Sequence, residues 1–339
     1  MDWDRGFSSR VYATFVDPNT WRDQAQQIDI IDGSVKRSLD DLREAADLTC
    51  SSSYEETSER WIRIWLDAKQ SDSSSHIPIF TGLAISPGRT LDGNFATKQV
   101  QCYSVLKPAQ DVLLQRGWYA PASISSKVIL ENLLSVTPAV VDVEDNAPML
   151  ENPIIAMDGE THLSMALRIV DAIGWQIKIT GDGIIHVVSI PKKLRPVRRL
   201  DAFSYDIIET NVDISYDWYS CPNVFRAIIG DTVAIARDDD PNSRFSTVTR
   251  GREIWAEDSN GALNSDETIA SYAERRLKEL QRVYLEVSYT RRFDPEINIL
   301  DMVDINYPKQ QLQGSFLVLG QNIKLGGNMS VAEEVRAYG

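Results

Sequence analysis

The chain has 339 residues, 43% hydrophobic and 25% charged, the make-up of an ordinary globular protein of two or three domains. Its 49 acidic residues against 35 basic ones leave a net charge of −14, which argues against nucleic acid or an anionic membrane as a bound partner. Met1-Asp2-Trp3-Asp4 lacks the start of a signal peptide, and no apolar run reaches the roughly 20 residues that span a bilayer, so no membrane insertion is expected.

From Arg10 to about Val105 the pattern is mostly β. Val11 to Val16 and Ile28 to Ile31 read as strands closed by Asp17-Pro18-Asn19 and Asp32-Gly33. Ser38 to Leu48 reads as a short helix. In Arg60 to Leu66, Trp61, Arg63 and Trp65 take one face while Ile62, Ile64 and Leu66 take the other. A strand with large side chains on both faces is expected to be covered on both. Ile77 to Ile85 and Phe95 to Val105 follow as a strand pair. Pro108 then marks a change of period, with a short helix ending near Gly117 and a second from Ile124 to Val136. Val140 to Met149 reads as an irregular acidic connection. Leu163, Ala166, Leu167, Val170 and Ile173 recur at helical spacing, and Gly174 stands where the helix should end. Trp175 to Ile179 and Ile184 to Ile190 then form a hairpin about Gly181-Asp182-Gly183. The linker from Lys192 to Arg199 is basic.

From Tyr205 the β pattern resumes. Val212, Ile214, Tyr216 and Trp218 alternate with Asp213, Ser215, Asp217 and Tyr219, a half-buried strand with an acidic outer side. Val224 to Ala236 and Phe245 to Trp255 read as strands, and a helix capped by Ser265 runs to Leu280. Val283 to Arg292, Met302 to Tyr307, Phe316 to Leu325 and Met329 to Ala337 close the chain as strands. The whole reads as mainly β with an α+β insertion: β domains at 1–105 and 200–339 flank a small α/β domain at 106–199.

Signals for chemistry are few. His76, His162 and His186 have no metal-ligand spacing, and no nucleophile elbow, phosphate loop or dinucleotide fingerprint is present. The run Asp238 to Asn242 lacks the spacing of a calcium loop. Glu144 with Asp145, and Glu257 with Asp258, are carboxylate pairs in expected loops, as chance would place them in an acidic chain. No catalytic, cofactor or metal residue is assigned. Cys50, Cys102 and Cys221 are odd in number and form no CxxC, so reduced, mostly buried thiols in a chain folded in a reducing cytoplasm are expected.

Two series of residues carry a resemblance. One is Ile79-Phe80-Thr81-Gly82, a turn, then Phe95 to Tyr103 running into Leu106-Lys107-Pro108. The other is the helix to Leu280, the strand Val283 to Tyr289, Leu300-Asp301-Met302-Val303-Asp304-Ile305, and Phe316 to Leu325 turning through Gly326-Gly327-Asn328 into Met329 to Val335. Together they are similar to the baseplate hub proteins of contractile-tailed bacteriophages and related prophage tail particles, which usually have Gly where Leu300 stands. The resemblance implies two tube-like β-barrel domains flanking the α/β domain. It implies a non-enzymatic homotrimer forming a pseudo-sixfold ring that joins a hexameric tail tube to a spike. Since the chain stops at Gly339, the spike is expected to be a separate protein. DNA or a tape-measure protein would pass through the channel without specific binding, in a virion tail assembled in the host cytoplasm. Trp61, Trp65 and Trp218 are the candidate interface residues, and Asp213 and Asp217 the candidate channel-facing ones. The two β domains are expected to be structural copies: Phe80 to Ser86, Gly93-Asn94 and Phe95 to Tyr103 parallel Phe316 to Leu325, Gly327-Asn328 and Met329 to Tyr338. The alternatives are a tail-associated peptidoglycan hydrolase or a carbohydrate-binding tail component.

Overall fold

The computed structural model describes every residue except 4, 41, 52–57, 93–94, 192–193, 203–211, 217–218, 220, 230, 259–267, 283–284, 327–328 and 339. The chain is mainly β with a large sheet, and it divides into two compact units. One holds Met1–Leu194, Thr290–Ile299 and Gly320–Glu333; the other holds Arg195–Tyr289, Leu300–Leu319 and Glu334–Gly339.

The first unit begins with six strands: β1 (Ser8–Asp17), β2 (Arg22–Arg37), β3 (Glu44–Ser51), β4 (Arg60–Lys69), β5 (Ser74–Asp92) and β6 (Phe95–Ser104). Their antiparallel ladders run β1-β4-β5-β6-β3-β2, and β2 pairs again with β1, so the sheet closes on itself. Closure leaves no open edge among the six. The interior is filled, not hollow. Ala13, Ile28, Val35, Leu48, Ile62, Ile64, Leu66, Phe80 and Val100 are among the buried side chains that pack there. Glu44, Ala46, Leu48 and Cys50 alternate inward along β3, which corrects the helix expected from Ser38 to Leu48: the period is two, not 3.6.

The α/β segment belongs to the same unit. It consists of α1 (Lys107–Asp111), β7 (Tyr119–Ala120), α2 (Ser126–Leu134), β8 (Val141–Val143), β9 (Ile154–Ile155), α3 (His162–Ala172), β10 (Trp175–Ile179) and β11 (Ile185–Ser189). Thr161 and Ser164 cap α3 reciprocally, and Gly174 follows it at φ 67°. The connection expected to be irregular supplies β8, which pairs in parallel with β11. Leu130, Leu133, Ala166, Ile169, Ile177 and Val187 form the core of this segment.

The second unit contains β12 (Pro196–Asp201), β13 (Asp213–Tyr216), β14 (Val224–Ile229), β15 (Thr232–Arg237), α4 (Thr247–Arg250), β16 (Trp255–Asp258) and α5 (Ile269–Arg282). β17 (Leu285–Arg292), β18 (Met302–Tyr307), β19 (Leu312–Leu325) and β20 (Ser330–Ala337) follow; β17, β19 and β20 contribute residues to both units. The basic segment is thus no linker throughout, since Pro196 to Asp201 pairs in parallel with β18. The single strand expected over Val224 to Ala236 is the hairpin β14–β15. The strand expected from Phe245 to Trp255 is instead helix α4, capped by Ser246 and ended by Gly251 at φ 63°. Ser265 lies outside the described residues, and Thr268 accepts from the Ser271 amide at the start of α5. Phe225, Ala236, Tyr272, Ala273 and Leu277 join α5 to one face of the β15-β14-β16 sheet.

The strands β12, β13, β17, β18, β19 and β20 repeat the neighbour order of β1 to β6. In each set the second lies beside the third, the third beside the sixth, the sixth beside the fifth, the fifth beside the fourth, and the fourth beside the first. The copy is not complete. No β12–β13 pairing occurs among the described residues, and β12 is parallel to β18 where β1 is antiparallel to β4. The module from β14 to α5 is inserted only in the second set. Leu300 adopts φ 66°, the left-handed region that glycine occupies without strain, so the departure from the expected Gly falls where a glycine is useful.

Candidate functional site: two flanks of the closed sheet

Inward residues of the closed sheet are mostly apolar, Glu44 at one end of β3 being an exception, whereas the outward residues divide into two flanks of different chemistry. On β1-β4-β5 three outward rows are Arg10–Asp67–His76, Tyr12–Trp65–Pro78 and Thr14–Arg63–Thr81. Arg63 is only 6% exposed. Its guanidinium donates from Nε to Thr81 Oγ1 at 3.0 Å, from Nη1 to Asp23 Oδ2 at 2.6 Å and from Nη2 to the Asp182 carbonyl at 2.9 Å. Thr81 Oγ1 in turn donates to the Gly181 carbonyl at 2.8 Å, and Trp21 Nε1 donates to the Asp182 carbonyl at 3.1 Å. The tip of the β10–β11 hairpin is therefore clamped onto the outside of the sheet. A Cβ at Gly181 would stand 2.0 Å from the Pro78 carbonyl oxygen, so the approach requires glycine. Buried cations need several acceptors to offset desolvation, and Arg63 has three.

The candidate tryptophans lie on this flank. Trp65 is half-buried, stacks on His76 with centroids 4.2 Å apart, and donates to Thr14 Oγ1 and Asp23 Oδ1. Trp61 packs edge-on against Trp21 at 5.4 Å and lines a cleft of about 430 Å³ with Phe15, Pro18, Arg60 and Leu83. Both faces of β4 are thus covered within the chain, in part by the hairpin tip. The alternation of β4 revealed the two-sidedness. It did not single out Arg63, whose position between two tryptophans was the available signal. Trp218 and Asp217 lie outside the described residues, and Asp213 is exposed opposite Ser288.

The opposite flank, β6-β3-β2-β19, is different. Its outward rows are Tyr103–Ala45–Lys36–Asn322, Gln101–Asp47–Ser34–Lys324 and Gln99–Thr49–Asp32. Apart from half-buried Tyr103, these side chains are small or polar. Lys36 and Lys324 balance Asp32 and Asp47, so the face is not acidic.

Beneath this flank runs a buried polar row. Gln321, Arg37 and Glu44 are neighbours across β19, β2 and β3. Gln321 Nε2 donates to Glu333 Oε1 at 2.7 Å, and Glu333 forms an ion pair with Arg291 at 2.5 Å, both side chains at most 2% exposed. Glu44 is buried, and burial pushes its carboxyl up to about 8 against the opposing pull of Arg37.

Elsewhere the carboxylates singled out in the sequence are engaged. Glu144 accepts from the Ser189 amide and hydroxyl. Asp145 accepts from Lys127, which holds its carboxyl below the usual range. Glu257 pairs with Arg226, and Asp258 accepts from the Tyr272 hydroxyl, which burial and that bond push up to about 12. Among the described residues no three His, Cys, Asp or Glu side chains gather as metal ligands. The three cysteines are buried and none of them is in a disulfide. No described helix is long and apolar enough to cross a membrane.

No protein-family profile matches the sequence, and no curated protein does. Solved structures do match the fold. A tail protein from Neisseria meningitidis MC58 superposes with a TM-score of 0.70 at 12% identity, covering 97% of this chain and 96% of its own. The 43 kDa tail protein of prophage MuSo2 from Shewanella oneidensis gives 0.69 at 14% identity, covering 97% and 98%. An Escherichia coli component of the type VI secretion system, itself similar in structure to bacteriophage T4 tail proteins, gives 0.53 at 8% identity over 94% of this chain and 76% of its own. The fold is that of phage tail and baseplate proteins.

Proposed function

We propose that the protein is the structural hub of a phage tail baseplate, a homotrimer that joins a hexameric tail tube to a spike. The repeated strand order carries this reading. A trimer offers three equivalent positions where a sixfold tube offers six, so each subunit must present two similar surfaces. Five shared neighbour relations between β1–β6 and the six later strands supply such a pair. In this reading 1–105 and 200–339 are the two tube-like β-barrel domains, and 106–199 is a peripheral α/β domain. Since the interior of the closed sheet is filled, the passage in this reading would run between subunits and not through one. The polar flank of β6-β3-β2-β19 has the chemistry of its wall: hydrogen-bonding groups, balanced charge and little apolar surface to hold a passing DNA or tape-measure chain. Asp213 and Asp217 would add acidic wall from the second domain, and Trp61, Trp65 and Trp218 would lie at subunit or tube contacts. The protein would act without catalysis, in the tail of the virion.

Electron microscopy of the purified chain, alone and with its tail-tube partner, tests the reading. The expected particle is a threefold ring with near-sixfold outline. A monomer at micromolar concentration that remains monomeric with the tube protein would refute it. Trp61→Asp separates assembly from folding, because it should reduce ring formation while the monomer still melts cooperatively. Lysis of peptidoglycan in a zymogram would favour the hydrolase alternative.

A further inference from the structure

The row Glu333–Gln321–Arg37–Glu44 has no part in the assembly argued above, and it contains an unbalanced contact. Glu44 Oε1 is buried with no hydrogen-bond partner, and so is Arg37 Nε, although the two residues are register partners on adjacent strands. Arg37 turns away. Its Nη1 donates to Asn298 Oδ1 at 3.0 Å and its Nη2 to the Ile79 carbonyl at 2.7 Å. Gln321 Nε2 also donates to the Ile297 carbonyl at 2.8 Å. The segment Asp294–Ile299 is therefore held to the sheet by two side chains, Arg37 and Gln321.

Burial of a carboxyl whose Oε1 finds no donor favours its protonated form. Arg37 from β2 is the cation that acts on it. The other buried charged groups on the surrounding elements are Arg291 from β17, Glu333 from β20 and Asp294 from the segment itself. Arg291 and Glu333 neutralise each other, and Asp294 Oδ1 accepts from the Glu296 amide. Cβ atoms of directly opposed residues lie about 5 Å apart, so a rotamer change alone brings the Arg37 guanidinium onto the Glu44 carboxylate.

We propose that Glu44 is a proton-dependent latch: when its proton leaves to solvent, Arg37 moves onto the carboxylate and lets go of Asn298 and Ile79, which loosens Asp294–Ile299 and leaves Gln321 as its remaining side-chain tie of the two. At neutral pH and below, the carboxyl is protonated and the segment is held. Above the carboxyl's raised titration range the segment is loosened, while the closed sheet stays folded. This inference does not depend on the hub reading.

Hydrogen exchange on the full chain, corrected for the intrinsic pH dependence of the chemistry, tests it. Between pH 7 and pH 9.5 the protection of amides in 294–299 should fall about tenfold in the wild type, while β4 amides stay protected. Glu44→Gln should show equal protection at both pH values. Constant protection in the wild type, or the same fall in Glu44→Gln, overturns the proposal. Should Glu44→Gln fail to fold, Arg37→Met decides. It should leave the segment weakly protected to the same degree at both pH values, and a persisting pH step in that variant equally overturns the latch.

Discussion

The two flanks of one closed sheet share a backbone and a filled interior, yet their outward rows are opposites. Thr14–Arg63–Thr81 and Tyr12–Trp65–Pro78 present a buried cation and stacked rings under the β10–β11 hairpin. Gln101–Asp47–Ser34–Lys324 and Gln99–Thr49–Asp32 present short polar groups of balanced charge. The difference teaches what an outward face is for. Where another part of the chain docks, the strand carries groups that hold a fixed partner through directed bonds. On the polar flank it carries short groups that water satisfies equally well.

Breaking the clamp should have the largest effect. Arg63→Met leaves Asp23 and the Asp182 carbonyl without their cation at a buried site, and it should cost about 3 kcal/mol in urea unfolding. A loss below about 1 kcal/mol would mean that the hairpin does not depend on Arg63. Gly181→Ala forces the tip off Pro78 and should cost about 2 kcal/mol, with faster exchange at 180–184 while β8 stays protected. Trp65→Phe keeps a ring against His76 but removes both Nε1 bonds, so calorimetry should register a loss of about 1 kcal/mol. On the polar flank, Lys36→Ala with Asp47→Ala should stay within about 0.5 kcal/mol of the wild type. A large destabilisation there would show that the flank is structural and would erase the contrast.

Periodicity made the strands legible, because each local pattern reports which side of a strand meets a core. It reached the two faces of Arg60 to Leu66, the hairpin about Gly181-Asp182-Gly183 and the four strands from Val283 onward. It failed at Ser38 to Leu48, where Ala45, Ala46 and Leu48 fit either a helix or a strand. Only the pairing of β3 with β2 and β6 settles that segment. It failed again at Phe245 to Trp255, where the Ser246 cap outweighs a β-prone run.

Composition, the sparse catalytic signals and the order β, α/β, β follow from the amino-acid sequence by itself, since each rests on residues near one another in the chain. The closure of β1 onto both β2 and β4, and the grasp of Arg63 on Asp23, Thr81 and Asp182, rest on tertiary structure alone. So does the meeting of Arg37 with Asn298 of the segment Asp294–Ile299, 261 residues away in the chain. Local patterns record whether a side chain faces water or a core. They carry no record of which distant group stands opposite, because that is decided by the register and docking of the whole sheet.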